Sequence, residues 1–316
     1  MTTHKILVSD GLSEAGLTLL RAVGEVTSSP KITPAELLAA LPEYHALIVR
    51  SRTKVTAPVV QAGKQLKVIG RAGVGVDNID VAAAVAAGIT VVNSPLAASV
   101  AVAEHTLGLM LALARAIPAA DAVLKQGRWE KSAFMGSELS GKTLGLIGIG
   151  RIGVEVAQRA IAFDMSVLAF DPYLTAAQIR ERYAEPVTLD EVLARSDYVS
   201  LHLPLTNETQ GLIGPGQFDR MKKGARLICA ARGGVVDEDA LRAALDSGQL
   251  AGAALDVFAA EPPPPDSIAM HPKMIATPHI GAQTAEAQAR AGIAIAEEVI
   301  AVLQGREPRW RVTANE

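Results

Sequence analysis

Residues 142–171 read KTLGLIGIGRIGVEVAQRAIAFDMSVLAFD, and no other stretch constrains the fold as much. An apolar run breaks into G-x-G-x-x-G at Gly148, Gly150 and Gly153, an amphipathic helical stretch follows, and a second apolar run ends in Asp171. Strand, glycine turn, helix and strand in that order make a βαβ unit, whose crossover requires a parallel sheet covered by helices. The three glycines serve different ends. Gly148 permits the tight turn, Gly150 lets backbone approach a pyrophosphate, and Gly153 lets the helix pack on the sheet. The N–H groups at 151–153 and the helix dipole then face phosphate. Asp171 is placed to accept hydrogen bonds from ribose hydroxyls and to repel a 2′-phosphate; no cation follows it before Arg180, so the motif selects NAD over NADP.

Apolar strands alternate with helical segments through most of the 316 residues. A first series of strands is expected at 5–9, 46–50, 67–71 and 90–93, and a second at 142–148, 166–171, 198–203, 226–231, 251–258 and 274–279. Two helices, 99–115 and 118–127, separate the series; the first is apolar on most faces and is expected to be buried between domains or subunits. A last helix at 284–305 comes after the second series is complete and is expected to return to the first domain. The expected class is therefore α/β with two doubly wound parallel-sheet domains, 1–98 plus 290–316 and an inserted 99–289. Net charge is −3 with no long run of one sign, which gives no electrostatic reason to expect nucleic acid or an anionic membrane. Cys229 is the sole cysteine, which excludes a disulfide framework and a thiolate metal cluster and fits a reducing compartment. It reads as a small buried residue, not a nucleophile. The N-terminus lacks a signal pattern, and the apolar run 106–114 is too short to span a bilayer, so a soluble cytoplasmic protein is expected.

A nicotinamide enzyme needs a group that holds a substrate anion and one that moves a proton. Arg232 follows the apolar run RLICAA and precedes Gly233–Gly234, so it fits either a bidentate carboxylate clamp with substrate or cofactor close by, or a strand-capping surface charge. His279, in TPHIG, is expected at the carboxyl end of a strand, where doubly wound folds place their ligands. His202 in LHLP is its best competitor and reads as structural or cofactor-side; His105 reads as an interface histidine. Glu261 precedes Pro262, which holds it extended; it could orient the histidine, or simply solvate a stiff EPPPP connection.

These stretches, with LIVRSRTKVTAPVV (47–60), VIGRAGVGVDNID (68–80), WEKSAFMGSELSGKTLGLIGIGRIG (129–153), ARGGVVDE (231–238), GAALDVFAAEPP (252–263) and TPHIGAQT (277–284), resemble the D-isomer-specific 2-hydroxyacid dehydrogenase family along the whole chain. The resemblance implies a Rossmann NAD-binding domain inserted into a flavodoxin-like substrate domain, with a cleft between them. It places the family's catalytic Arg, Glu and His on Arg232, Glu261 and His279. It also puts Asp256 on the nicotinamide carboxamide and lines the cofactor site with Arg151, Ile152, Leu203, Ala230 and Gly281. On the substrate side it implies Arg50, Ser51, Arg71, Val74 and Gly75, with Lys131 at a basic position and Arg52 as an added cation. The partners implied are a small 2-hydroxy or 2-keto acid of D configuration and a second copy of the chain, a homodimer through the 99–127 helices.

Two departures bear on the substrate. Ala97–Ala98 stand where members acting on phosphoglycerate usually carry Gly-Asn, and Val74 where Thr is common. The arginines still suggest a doubly anionic substrate, such as 3-phosphoglycerate with its keto partner 3-phosphohydroxypyruvate, or sulfolactate; hydroxypyruvate and glyoxylate are the smaller alternatives. The chain ends at 316, so feedback through the serine-binding regulatory domain of longer members is not expected. A reading of a different class is an NAD-sensing binding protein of the corepressor kind.

Overall fold

Parallel strands joined by crossovers, most of them helical, generate both sheets of the computed structural model, which describes residues 4–313. The chain begins β1 (His4–Val8), α1 (Glu14–Arg21), β2 (Gly24–Ser28), α2 (Pro34–Ala40), β3 (Ala46–Val49), α3 (Ala57–Ala62), β4 (Val68–Arg71), α4 (Val81–Ala86) and β5 (Thr90–Asn93). Two helices follow, α5 (Ser99–Arg115) and α6 (Ile117–Lys125), broken apart by Ala116 in the left-handed region. The second series is β6 (Thr143–Ile147), α7 (Arg151–Ala162), β7 (Ser166–Phe170), α8 (Ala176–Arg180), β8 (Glu185–Pro186), α9 (Leu189–Arg195), β9 (Tyr198–Leu201), α10 (Pro215–Arg220), β10 (Ala225–Cys229), α11 (Glu238–Asp246), β11 (Leu250–Leu255) and β12 (Met274–Ala276). The chain then runs through α12 (Ala285–Leu303) to β13 (Arg311–Val312). Two compact units result, Met1–Ala98 with Gln283–Glu316, and Ser99–Ala282.

The first unit carries the sheet β13-β5-β4-β3-β1-β2, in which β2 to β5 follow the flavodoxin-like order and the short β13 pairs antiparallel to β5. Strand residues alternate between two apolar layers. Ile6, Val8, Ile48, Val68 and Val92 face α1 and α12, while Leu7, Leu47, Val49, Ile69 and Val91 face α2 and α3. Helix α12 therefore completes a layer that the N-terminal residues leave open. It crosses α1 where two glycines meet: a Cβ on Gly16 would stand 2.5 Å from the carbonyl oxygen of Gly292.

The second unit is one parallel sheet, β12-β11-β10-β9-β6-β7-β8, whose β8 to β11 segment is the Rossmann order with β12 added at the edge. Ile147, Leu201, Leu227 and Leu255 pack against α9, α10 and α11; Leu144, Leu146, Ile228 and Ala254 pack against α5 and α7. One apolar face of α5 (Ala103, Leu107, Met110, Ala114) lies on its own unit's sheet. Among the described residues, no single helix is long and apolar enough to cross a membrane.

Three strands escaped the sequence reading. β2 (GEVTS) is a polar edge strand with no fully buried residue, and β8 and β13 are two residues long. In the other direction, β12 stops at Ala276, so His279 lies beyond the strand that was expected to carry it.

The helix crossing gives a stability test. Gly16→Ala forces α1 and α12 apart and should cost about 1–3 kcal/mol despite alanine's better helix propensity. Gly216→Ala in α10, exposed with open space around its Cβ position, should be neutral or stabilising by about 0.5 kcal/mol. Thermal unfolding of the two variants beside the parent checks both, and equal melting temperatures would remove the close crossing as a constraint.

Candidate active site

Six strands of the second sheet end at one edge, and each delivers a residue singled out by sequence to the loop that follows it. Gly148 follows β6, Asp171 follows β7, Leu203 follows β9, Ala230 and Arg232 follow β10, Asp256 follows β11, and His279 follows β12. Because neighbouring strands are parallel and paired level, as in Cys229↔Leu255 and Leu255↔Ala276, residues far apart in sequence share this edge. The strand order reverses between β6 and β9, the position at which doubly wound sheets open a crevice for a ligand.

The glycine turn has the build of an anion cradle. Gly148 adopts φ 87°, and a Cβ there would meet the carbonyl oxygen of His202 at 2.5 Å and Leu203 Cβ at 3.5 Å. Gly150 caps α7 with no side chain over the first turn, and a Cβ on it would meet open space. Gly153 packs against the carbonyl of Gly148, where a Cβ would come within 2.7 Å. Asp171 braces the turn, accepting hydrogen bonds from the N–H of Ile149 at 3.1 Å and of Tyr173 at 3.0 Å. One lone pair on each oxygen is used, which leaves acceptor capacity for ribose hydroxyls. The residues fit a dinucleotide. Arg182, not singled out by sequence, donates to the carbonyl of Ile149 at 2.8 Å and holds the turn from outside; nothing in its local sequence marks it.

Glu261 and His279 meet directly, with Nδ1 of the imidazole 2.9 Å from Oε2 of the carboxylate. The other carboxylate oxygen accepts from the N–H of Phe258 at 3.2 Å, which fixes its orientation. A carboxylate can only accept, so Nδ1 carries the proton and Nε2 remains for a reacting group. His279 sits in the left-handed region at φ 53°, uncommon for a residue with a side chain. Arg232 donates through Nη1 to the carbonyl of Ala231 at 2.7 Å, which folds the guanidinium back over the end of β10.

The first of the two glycines after Arg232 is required by the fold itself. A Cβ on Gly233 would stand 1.9 Å from the carbonyl oxygen of Phe258 and 2.9 Å from the nitrogen of Ala259. The Arg232 loop and the Glu261 loop are therefore pressed backbone to backbone. Glu238, in the first turn of α11, ties them further by accepting from the N–H of Ala259 at 2.7 Å.

Asp256 is 1% exposed and its carboxylate is turned into the segment around His279. Oδ1 accepts from Thr277 Oγ1 at 2.6 Å and from the N–H of Ile280 at 2.8 Å, and Oδ2 accepts from the N–H of Gly281 at 2.8 Å. Burial alone would raise its pKa, but hydrogen bonds from His105, Thr277, Ile280 and Gly281 hold it below the usual carboxylate value. That lowered value contributes stability which is present above the ordinary carboxylate range and is lost as pH falls through it. His202 is enclosed beside the glycine turn, bonded to Ser200 Oγ at 2.9 Å, and burial pushes its pKa down to about 4, so it stays neutral and suits a structural place. Burial also pushes the Cys229 thiol up to about 11, leaving no thiolate at neutral pH.

Most of the substrate-side candidates lie in the other unit. Arg50 lines a cleft of about 290 Å³ with Asp10, Leu12, Ser13, Ala72 and Gln288, and donates to Gln283 Oε1 at 3.1 Å. Arg71 ends β4 and lies over Gly73, while the carbonyl of Val74 accepts from Asn93 at 2.7 Å. Ser51 and Gly75 are in the loops after β3 and β4. Arg52 is engaged within the fold: it pairs with Asp10 at 2.9 Å and donates to the carbonyls of Ser9 and Ile32. Lys131 is exposed in a single 3₁₀ turn of the second unit, apart from these arginines in the chain's division into units.

Residues 107–281 match the family described as D-isomer specific 2-hydroxyacid dehydrogenase, NAD binding domain. A D-3-phosphoglycerate dehydrogenase of Archaeoglobus fulgidus is 48% identical over 303 residues, 95% of this chain and 58% of that protein. The chloroplastic D-3-phosphoglycerate dehydrogenase 2 of Arabidopsis thaliana is 49% identical over 312 residues, 98% of this chain and 50% of that protein. The chain thus spans little more than half the length of the curated relatives it matches. Among solved structures, the TT0316 protein of Thermus thermophilus has a TM-score of 0.88 at 38% identity, covering 98% of this chain and 100% of that one. A glyoxylate reductase of Paecilomyes thermophila has a TM-score of 0.89 at 29% identity, with 100% of both chains covered. A match that takes in more than half of the chain, on a fold shared from end to end, makes this chain a member of the D-isomer specific 2-hydroxyacid dehydrogenase family.

Proposed function

We propose that the chain interconverts a D-2-hydroxyacid and its 2-keto acid with NAD, on a substrate that carries a second anionic group, as 3-phosphoglycerate does. The observation that carries this reading is the His279–Glu261 pair at 2.9 Å, on the same sheet edge as Arg232 and the glycine turn. Gly148, Gly150, Arg151, Ile152 and Gly153 would hold the pyrophosphate of the cofactor and Asp171 its ribose, with Leu203, Ala230 and Gly281 further along the edge. Bound NAD supplies the chemistry of hydride transfer. Arg232 holds the substrate carboxylate through its fork of N–H groups and polarises the keto oxygen. His279 Nε2 gives or takes the proton of the substrate hydroxyl, and Glu261 accepts from Nδ1–H throughout and stabilises the imidazolium. Arg50 and Arg71 are assigned to the second anion on the family resemblance alone. The names of the curated relatives support a phosphorylated substrate.

A smaller substrate, hydroxypyruvate or glyoxylate, is favoured by two observations. Ala97 and Ala98 are 4% and 6% exposed and bring no polar side chain, and Arg52 is engaged by Asp10. Sulfolactate is a further doubly anionic option. The protein is read as a cytoplasmic homodimer associating through the 99–127 helices, of which α6 is the more exposed. No residue of α6 is buried, and Ile117 and Leu124 stand 53% and 57% exposed.

NADH oxidation should be seen with at least one of phosphohydroxypyruvate, sulfopyruvate, hydroxypyruvate and glyoxylate, and kcat/KM across the four ranks them. Tight NADH binding without turnover of any would favour an NAD-sensing binding protein. His279→Asn, chosen because Asn tolerates the left-handed backbone, should lower kcat by about 10²–10⁴-fold with NADH affinity little changed. Arg232→Lys should cost roughly 100-fold in kcat/KM, since a point charge cannot reproduce the fork. Asp171→Ala should reduce the NAD preference, measured as the ratio of kcat/KM with NADH to that with NADPH; an unchanged ratio would place ribose recognition elsewhere. Leu124→Glu should shift the mass measured by light scattering from dimer to monomer, and a dimer of unaltered strength would rule out α6 as the contact.

A further inference from the structure

His105 was read from sequence as an interface histidine, yet the fold turns it toward the site. Its Nε2 lies 3.1 Å from Thr277 Oγ1 and 3.4 Å from Asp256 Oδ1. Thr277 donates its one hydroxyl proton to Asp256, so Thr277 Oγ1 meets the imidazole as an acceptor, and Nε2 must carry a hydrogen. Asp256 in turn accepts from the N–H groups of Ile280 and Gly281. The hydrogen bonds thus grip both sides of His279: residue 277 before it, residues 280 and 281 after it. Between those anchors the backbone of His279 is held at φ 53°, a conformation uncommon for a residue with a side chain, which persists only where the surroundings enforce it. Gly281 lies close against this network: a Cβ there would stand 3.0 Å from Asp256 Oδ2 and 3.6 Å from the His105 ring.

We infer that His105 is a positioning residue for His279: from α5 it locks the 277–281 turn through Thr277 and Asp256, and so holds the His279 imidazole against Glu261. Its helix is rigidly seated, with Ala103, Leu107 and Met110 in the core on either side of it in sequence. The donor is fixed on packed secondary structure, and the turn it fixes is the one that carries the proton-transferring ring. This inference rests on the dehydrogenase reading only for its kinetic consequence; the mechanical part stands on the geometry alone.

The test compares His105→Leu, His105→Gln and Thr277→Val with the parent. Gln places an N–H donor near the position of Nε2, whereas Leu keeps bulk and removes the donor. His105→Leu should lower kcat by about 10- to 100-fold with NADH affinity, measured by fluorescence titration, changed less than about threefold. His105→Gln should recover most of the loss. Without cofactor or substrate, the nitrogen-15 spectrum of the His279 ring should show the Nδ1–H tautomer bonded to Glu261 in the parent and in His105→Gln, and an averaged tautomer mixture in His105→Leu and Thr277→Val. If His105→Leu keeps both the parent kcat and the parent tautomer, the inference is wrong. If it instead loses NADH affinity in proportion to kcat, His105 acts on cofactor binding and the inference is also wrong. A parent that turns over no keto acid would overturn the dehydrogenase reading, and the ring spectra would still decide the positioning role. Should His105→Leu fail to fold, Thr277→Val carries the same comparison.

Discussion

Parallel strands that return by right-handed crossovers must all point the same way, and their carboxyl ends must then share an edge. Everything else in the second unit depends on that constraint. β10, β11 and β12 are neighbours in the sheet, so the loops that leave them are neighbours too, although Arg232 and His279 are nearly fifty residues apart. The sheet contributes position; the loops contribute chemistry. Two kinds of contact convert adjacency into geometry. One is backbone against backbone, where Gly233 lets the Arg232 loop touch Phe258 and Ala259. The other is carboxylate to N–H, where Glu238, Glu261 and Asp256 each collect amide donors from the loop they orient.

Local signals made much of this legible before any coordinates. The glycine turn declares itself because tight turns, close approach and helix packing each demand a missing side chain at a set spacing. The apolar runs of the buried strands declare themselves because both faces are covered, which leaves no alternation to misread. What remained hidden depends on partners distant in the chain. GEVTS does not read as a strand because an edge strand can be polar, and only β1 beside it supplies the pairing. That Gly233 is pressed against the backbone of Phe258 is visible only once the two loops are brought together. Arg52 resembles a substrate cation until Asp10, more than forty positions earlier, is seen to engage it. His105 sits in an apolar helix with no local mark of function, and only the packing of α5 on its sheet reveals what it faces.

Asp256 illustrates how the same residue supports two readings. Family resemblance points it at the cofactor; its hydrogen bonds point it at the turn around His279. A buried carboxylate is tolerated where enough donors offset its desolvation, and four groups do so here. The negative charge is then held by amides and by Thr277 on a segment whose conformation matters, so the cost of burying it is matched by the order it imposes.

The layout of the two sheets also bears on the order in which they can form. The second unit is one unbroken stretch, Ser99–Ala282, whereas the first needs α12 to close the layer containing Ile6, Ile48 and Val92. On a ribosome, chain elongates at roughly 5–20 residues per second and domains fold as they emerge. The inserted unit is therefore complete while the first sheet still waits, one apolar face uncovered, for Ile295 and Val299 to arrive. A nascent chain of this design exposes its N-terminal third longest, and it is there, not around the nucleotide turn, that chaperones would have the most to protect.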